Sequence, residues 1–248
     1  MATCNNCGAT VSDAAKFCTE CGTKIDKVET ETQYVFVEKA GSLLQILNNP
    51  TEVKSLSING YINASDFNFL KKHCTSIQNI YLSGVEICSY EGSEGTNEGY
   101  NYYYNANEIP LGSFFYWLPI DDGMPSLKSV VLPDNIIEIG RNAFARAYNL
   151  ADINFPEGLN RIGFVSFAFC KTLNTIALPS TLKRIDDCAF NNCECLENVY
   201  IKAENPPHLG NNVFDGISKE AFLFVPTESY GKYKSSLWSH YFKEIIPD

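Results

Sequence analysis

One interval governs this chain: from residue 127 onward a pattern of apolar residues returns every 23 residues. Leu127, Leu150, Leu173 and Leu196 hold it, as do Val130, Ile153, Ile176 and Val199, and Leu132, Phe155, Leu178 and Ile201. Pro133, Pro156 and Pro179 keep step, followed by Ile139, Ile162 and Ile185, and then by Phe144, Phe167 and Phe190. A period of this length is one supersecondary unit laid on the next. So short a unit cannot enclose a core of its own, so its apolar face is buried only by its neighbours. The chain is therefore predicted to be a solenoid.

Each unit reads L-x-x-I-x-(L/F)-P, then a turn, L-x-x-I, and an (A/S)-F pair. The alternation at 130 and 132 predicts a short strand with both residues inward, ended by the proline where the ladder must stop. The (A/S)-F pair fits a short helical turn on the far side with its Phe in the core, where burial is worth about 1.5–3 kcal/mol. Upstream the frame persists with a longer step: Val53 to Ile58 aligns with Ile77 to Leu82, and both align with Leu127 to Leu132. Tyr34 to Glu38 reads as a strand and Ser42 to Leu47 as a short helix capping the first coil. Phe222 to Pro226 reads as a final strand, and Tyr230 to Phe242 as a closing cap.

A second pattern stands at the N-terminus: Cys4, Cys7, Cys18 and Cys21 form C-x2-C-x10-C-x2-C. Two intervening residues let both thiolates of a tight turn reach one tetrahedral ion, at roughly 2.3 Å each. Gly8 and Gly22 follow the second cysteine of each pair and permit the backbone such a turn needs. A segment of about 25 residues cannot fold on apolar burial alone, so the metal must supply the stability. One structural Zn²⁺ is the expected cofactor, with a redox dithiol as the alternative; four protein ligands leave no open position for catalysis. Residues 3 to 25 resemble the short zinc-ribbon family, although Asn5-Asn6 and Thr19-Glu20 lack the proline common in its knuckles.

Residues 33 to 248 resemble the BspA-type leucine-rich-repeat proteins. The resemblance rests on I-G-x-x-A-F at Ile139 to Phe144, on its variants at Ile162 and Ile185, and on the L-x-x-I-x-L-P strand. It implies a repeat protein of the α/β-solenoid type: a curved leucine-rich-repeat array with short parallel β-strands on one face and short helical turns on the other. It also implies binding, since characterised members are mostly secreted or surface-attached and bind proteins or host surfaces. The expected organisation is a zinc ribbon over 1–25, a linker over 26–33 and a solenoid over 34–248. Within the solenoid lie an N-terminal cap (34–52), repeats (53–219) interrupted by an insertion at 88–108, and a C-terminal strand and cap (220–248).

In such an array the residues flanking the inward pair face outward, and neighbouring coils align them about 4.8 Å apart. The candidate ligand-binding stripe is Asn79, Tyr81, Asp152, Asn154, Thr175, Asn198 and Tyr200, small and polar and suited to hydrogen bonding with a peptide or glycan. The insertion carries Tyr100, Tyr102, Tyr103 and Tyr104; tyrosine gives large contact area at low entropic cost. That makes the insertion a candidate binding loop, with a tolerated flexible insertion as the plainer reading. Cys170 and Cys193 stand one repeat apart, so they stack on adjacent coils as small buried side chains, and a disulfide between them is geometrically open.

Formal charge is −10, from 29 acidic against 19 basic residues. With no basic patch to override it, nucleic acid is not an expected partner. No stretch predicts membrane insertion. The first residues, MATCNNCG, lack the basic and apolar regions of a signal peptide, and ten cysteines without one predict reduced thiols. The expected compartment is the cytoplasm, with a surface location as the alternative. His73, His208 and His240 fall on different coils or in the cap, and no nucleotide-binding or hydrolase motif is present. The sequence thus predicts a non-catalytic interaction module for a protein or peptide, with a surface adhesin binding host protein or glycan as the runner-up.

Overall fold

The computed structural model describes residues 32–97, 99–115 and 124–248, together with the backbone pairing of 2–3 and 10–11. Near the N-terminus β1 (Ala2–Thr3) pairs antiparallel with β2 (Thr10–Val11). The solenoid starts with β3 (Thr32–Val37), earlier than the expected linker end, followed by α1 (Leu43–Ile46). Next come β4 (Ser55–Ile62), α2 (Ala64–His73) and β5 (Asn79–Ile87). The inserted segment forms a hairpin of β6 (Tyr90–Gly92) and β7 (Tyr102–Tyr104).

From residue 108 the coils become regular. After β8 (Glu108–Ile109), each coil supplies two strands: β9 (Ser129–Val131) and β10 (Glu138–Ile139), then β11 (Asp152–Ile153) and β12 (Arg161–Ile162). The next two coils give β13 (Thr175–Leu178) with β14 (Arg184–Ile185), and β15 (Asn198–Ile201) with β16 (His208–Leu209). The chain closes with β17 (Phe222–Val225), α3 (Tyr230–Lys234) and β18 (Glu244–Pro247).

Three ladders run along the solenoid. The expected strands form two parallel sheets, one ordered β11-β9-β5-β4-β3 and the other β13-β15-β17-β18. The L-x-x-I step that follows the turn forms a further parallel sheet of five short strands, β16-β14-β12-β10-β8. Its inward column is Ile109, Ile139, Ile162, Ile185 and Leu209. Over the regular coils the third side consists of tight turns. Their backbone amides bond coil to coil: Asn142, Phe144 and Arg146 donate to Phe164, Ser166 and Ala168, and the same triplet recurs one coil later at Val165, Phe167 and Phe169.

These turns enter the left-handed region twice per coil. The residues there are Asn142 and Arg146, Val165 and Phe169, Cys188 and Asn192, and Asn212 and Gly216. Asparagine and glycine suit that region; Val165, at φ 59°, is β-branched and strained there.

Inside, the phenylalanine column runs farther than the repeat predicts. Phe114, Phe144, Phe167, Phe190 and Phe214 stack with centroids 5.0, 5.1, 5.2 and 5.4 Å apart. Phe67 of α2 meets Phe114 edge-on at 6.0 Å, and Phe242 meets Phe214 at 5.2 Å. Helix α2 is nucleated locally: Asn63 caps it, and the Asp66 side chain accepts from the Asn63 backbone in a capping box. The buried Asp66 carboxylate also accepts from the backbone of Gly41 (2.6 Å) and Leu43 (2.9 Å), tying the first cap to the helix.

Candidate binding face

The outward residues of the strands fall in two columns. In the first sheet one column is Thr32, Ser55, Asn79, Ser129 and Asp152, and the other is Tyr34, Ser57, Tyr81 and Val131. In the second sheet the columns are Thr175, Asn198, Phe222 and Glu244, and Ala177, Tyr200, Phe224 and Ile246. The face is therefore divided, and the stripe read from the sequence is distributed over two sheets.

The division falls at Asn154. Its side-chain amide turns back on the preceding coil, accepting from the Leu132 N–H at 2.6 Å and donating to the Leu132 carbonyl at 3.2 Å. A side chain thus takes the backbone groups of Leu132, and β11 stops at Ile153. Phe155, where other coils have leucine or isoleucine, drives its ring against Phe167 and Phe190.

Asn79 is likewise engaged between coils: its amide donates to Ser55 Oγ at 2.8 Å and accepts from Ser129 Oγ at 2.9 Å. Thr175 donates to the side chain of Asn174. Asp152 is exposed and Asn198 half-buried. The middle of the face is small and polar, with much of its hydrogen-bonding capacity spent within the solenoid.

The second sheet differs. Tyr200 stacks on Phe224 with centroids 4.3 Å apart and planes 10° from parallel, both on the outward side. Phe222 lies beside them with the Lys243 ammonium 5.7 Å above its ring. Ile246 continues the column. Beyond the C-terminal ends of β13 and β15 lies a cleft of about 580 Å³ whose lining includes Ser180, Lys183, Lys202, Asn205, Pro206 and Pro207. Its walls are braced: Glu157 accepts from the Ser180 backbone and hydroxyl and pairs with Lys202 at 3.0 Å. The Tyr233 hydroxyl and Trp238 indole, buried in the cap, donate to the carbonyls of Ala203 and Pro207.

The inserted tyrosines separate into two kinds. Tyr104 is buried and its hydroxyl accepts from the Asn97 amide at 2.7 Å. Tyr100, Tyr102 and Tyr103 are exposed. The segment packs on α2: Asn68 donates to the Glu94 carbonyl and the buried Lys71 ammonium to that of Thr96, at 3.0 and 3.1 Å.

On the neighbouring sheet the outward column is Glu108, Glu138, Arg161, Arg184 and His208. Burial pushes the Glu138 carboxyl above its ordinary value, and repulsion from Glu108 adds to it. Burial raises Glu108 also. Asp186 is pushed up by burial too, but hydrogen bonds and charge from Arg184 and Arg161 outweigh this and hold it low.

The thiols of Cys170 and Cys193 are free and donate to the carbonyls of Phe144 (3.3 Å) and Phe167 (3.2 Å). Burial pushes both pKa values up, that of Cys193 to about 12, so neither is a ready nucleophile. Cys4, Cys7, Cys18 and Cys21 lie outside the described residues. Among the described residues no cluster of His, Cys, Asp and Glu is placed to hold a metal, and no helix is long and apolar enough to cross a membrane.

This architecture is that of a leucine-rich-repeat protein. Residues 122–231 match the BspA type leucine rich repeat region in six copies, and residues 3–25 match a zinc-ribbon domain. Residues 122–231 thus carry repeats similar to the BspA type, and the segment similar to a zinc ribbon lies ahead of them.

Similar solved structures include a leucine-rich-repeat protein of T. pallidum, at 25% identity and TM-score 0.45, covering 56% of this chain and 62% of that one. A leucine-rich-repeat protein from Bacteroides ovatus is 15% identical with TM-score 0.46, covering 86% and 42%. A leucine rich cell surface protein from Faecalibacterium prausnitzii is 16% identical with TM-score 0.36, covering 79% and 64%. The chain spans less than two thirds of the length of each of these three. No curated protein matches it.

Proposed function

We propose that this chain is a non-catalytic binding module, and that its solenoid takes a protein or peptide on the outward face of β13, β15, β17 and β18. The observation that carries this is the stacked Tyr200–Phe224 pair, with Phe222 and Ile246 beside it, left on the outward side of a molecule that buries its other phenylalanine column. Rigid aromatic surface rimmed by Lys202, Lys243 and Glu244 has the composition of an interface centre with a polar rim. The braced cleft beside it would receive a side chain or chain end of the partner. The exposed Tyr100, Tyr102 and Tyr103 and the outward Tyr81, Asp152, Thr175 and Asn198 are secondary contacts on this reading. A single structural Zn²⁺, held by Cys4, Cys7, Cys18 and Cys21, would supply folding energy to the ribbon.

The test is selection of peptides on the immobilised full-length chain, followed by titration of the winners against Tyr200→Ala/Phe224→Ala. Loss of at least tenfold in affinity supports the reading. Unchanged affinity moves the site elsewhere. Glycan binding without peptide binding favours the surface-adhesin role. The free thiols suit a reducing compartment, so we place the protein in the cytoplasm. Cleavage by protease added to intact native cells would reverse that placement.

A further inference from the structure

The N-terminal end of the sheet carries a second aromatic group. Tyr34 and Phe36 of β3 are 67% and 61% exposed, and Tyr61 of β4 is 43% exposed. Tyr34 and Phe36 alternate with Val35, which packs on the core, and Tyr61 projects from the adjacent strand on the same outward side. The interior column at this end also begins badly: Gln33 stands in register with Leu56, Ile80, Val130 and Ile153. Its Oε1 is buried with no hydrogen-bond partner among the described residues. An interior amide oxygen without a donor and three exposed aromatic rings mark an end built to be covered.

The chain itself supplies the cover. Residues 26–31 separate the zinc-ribbon domain from Thr32 and reach at most about 20 Å when extended. Phe36 lies roughly 13 Å along the strand from Thr32. The ribbon is thus tethered within contact distance of Tyr34 and Phe36, at an effective concentration in the millimolar range. We infer that the zinc ribbon folds back onto Tyr34, Phe36 and Tyr61 and caps the N-terminal end of the solenoid in its metal-bound form. Metal binding and docking are then linked: a surface that binds only the folded ribbon raises its affinity for zinc.

Two measurements on the full-length chain decide this. A photo-crosslinking amino acid in place of Phe36 should join, within one chain, to residues 3–25 when zinc is bound, and lose that product after chelation. Cross-links between two chains would show that a second copy covers the patch, and absence of any link to residues 3–25 would show that the ribbon does not; either overturns the inference. Tyr34→Ser/Phe36→Ser should weaken zinc binding by about tenfold, a coupling of ordinary size, in competition with a chromophoric chelator. Tyr200→Ser/Phe224→Ser should leave it unchanged. Equal zinc affinity in both variants and the parent overturns the inference. A chain that takes up no zinc has no metal-bound form to dock, which overturns the inference together with the zinc reading it rests on.

Discussion

The first coils and the later ones solve the same stacking problem differently. Residues 32–87 use strands of six to nine residues and a ten-residue helix, and an inserted hairpin follows at 90–104. From β9 to β16 the coils use strands of two to four residues, and turns replace the helix. The early part depends on individual devices, such as the Asp66 carboxylate that gathers three backbone amides. The later part depends on repetition, in which every coil makes the same bonds as its neighbour. A defect should therefore remain local in the first region and spread in the second.

The largest expected effect lies in the regular region. Phe167→Ala should cost about 3–5 kcal/mol, measured by urea unfolding, and should loosen the coils on both sides in hydrogen exchange. A loss confined to its own coil would break the contrast. Asp66→Ala should cost about 2 kcal/mol through amides left without an acceptor, with faster exchange at Gly41, Leu43 and Asn63 and none beyond residue 124. Spread into the later coils would show the two regions to be one cooperative unit.

Val165→Asn should stabilise by about 1 kcal/mol, because asparagine tolerates the left-handed backbone that valine resists. Its melting temperature should rise by about 2–4 °C, and Asn142→Val should show the reverse. Equal melting temperatures would mean that the turns are not strained.

The smallest effect concerns Glu108 and Glu138. Their folded pKa values lie above the ordinary 4.5. Just above that pH the folded chain holds more protons than the unfolded one, so stability falls as pH climbs through the raised values. Glu108→Gln should raise the melting temperature at pH 7 and leave it unchanged near pH 4. Asp186 runs the other way: its lowered pKa gives stability above the ordinary value of 3.8, lost only as pH falls through the folded one.

The regular region was largely legible, because stacked coils force equivalent residues into register and the period then shows in the letters. The phenylalanine column was read at Phe144, Phe167 and Phe190 but not at its ends. Phe114 precedes Phe144 by a longer step, across the segment around Met124, and Phe214 follows Phe190 by one residue more than the period. The division of the outward face was not legible. Asn154 aligns with Val131 and Ala177 as an outward residue, and only the fold brings its amide onto Leu132. The aromatic patch was half visible, through Tyr200. The sequence places Phe222 and Phe224 in a closing strand, and a strand of alternating apolar and aromatic residues does not announce which side is wet. The ribbon's cysteine spacing needed no tertiary information at all.

The turn ladder also has an electrical direction. Its amides point from each coil toward the next, so their dipoles add along the solenoid as they do along a helix. The carbonyl end lies at Leu111 and the amide end reaches Asn212. Each is met by a suitable group: the Thr96 hydroxyl donates to the Leu111 carbonyl at 2.5 Å, and the Tyr241 oxygen accepts from the Asn212 and Val213 amides. Behind Thr96 stands the buried Lys71 ammonium, a cation at the negative pole. The inserted segment thus serves as an electrostatic terminator for the stack, whatever its tyrosines touch on the outside.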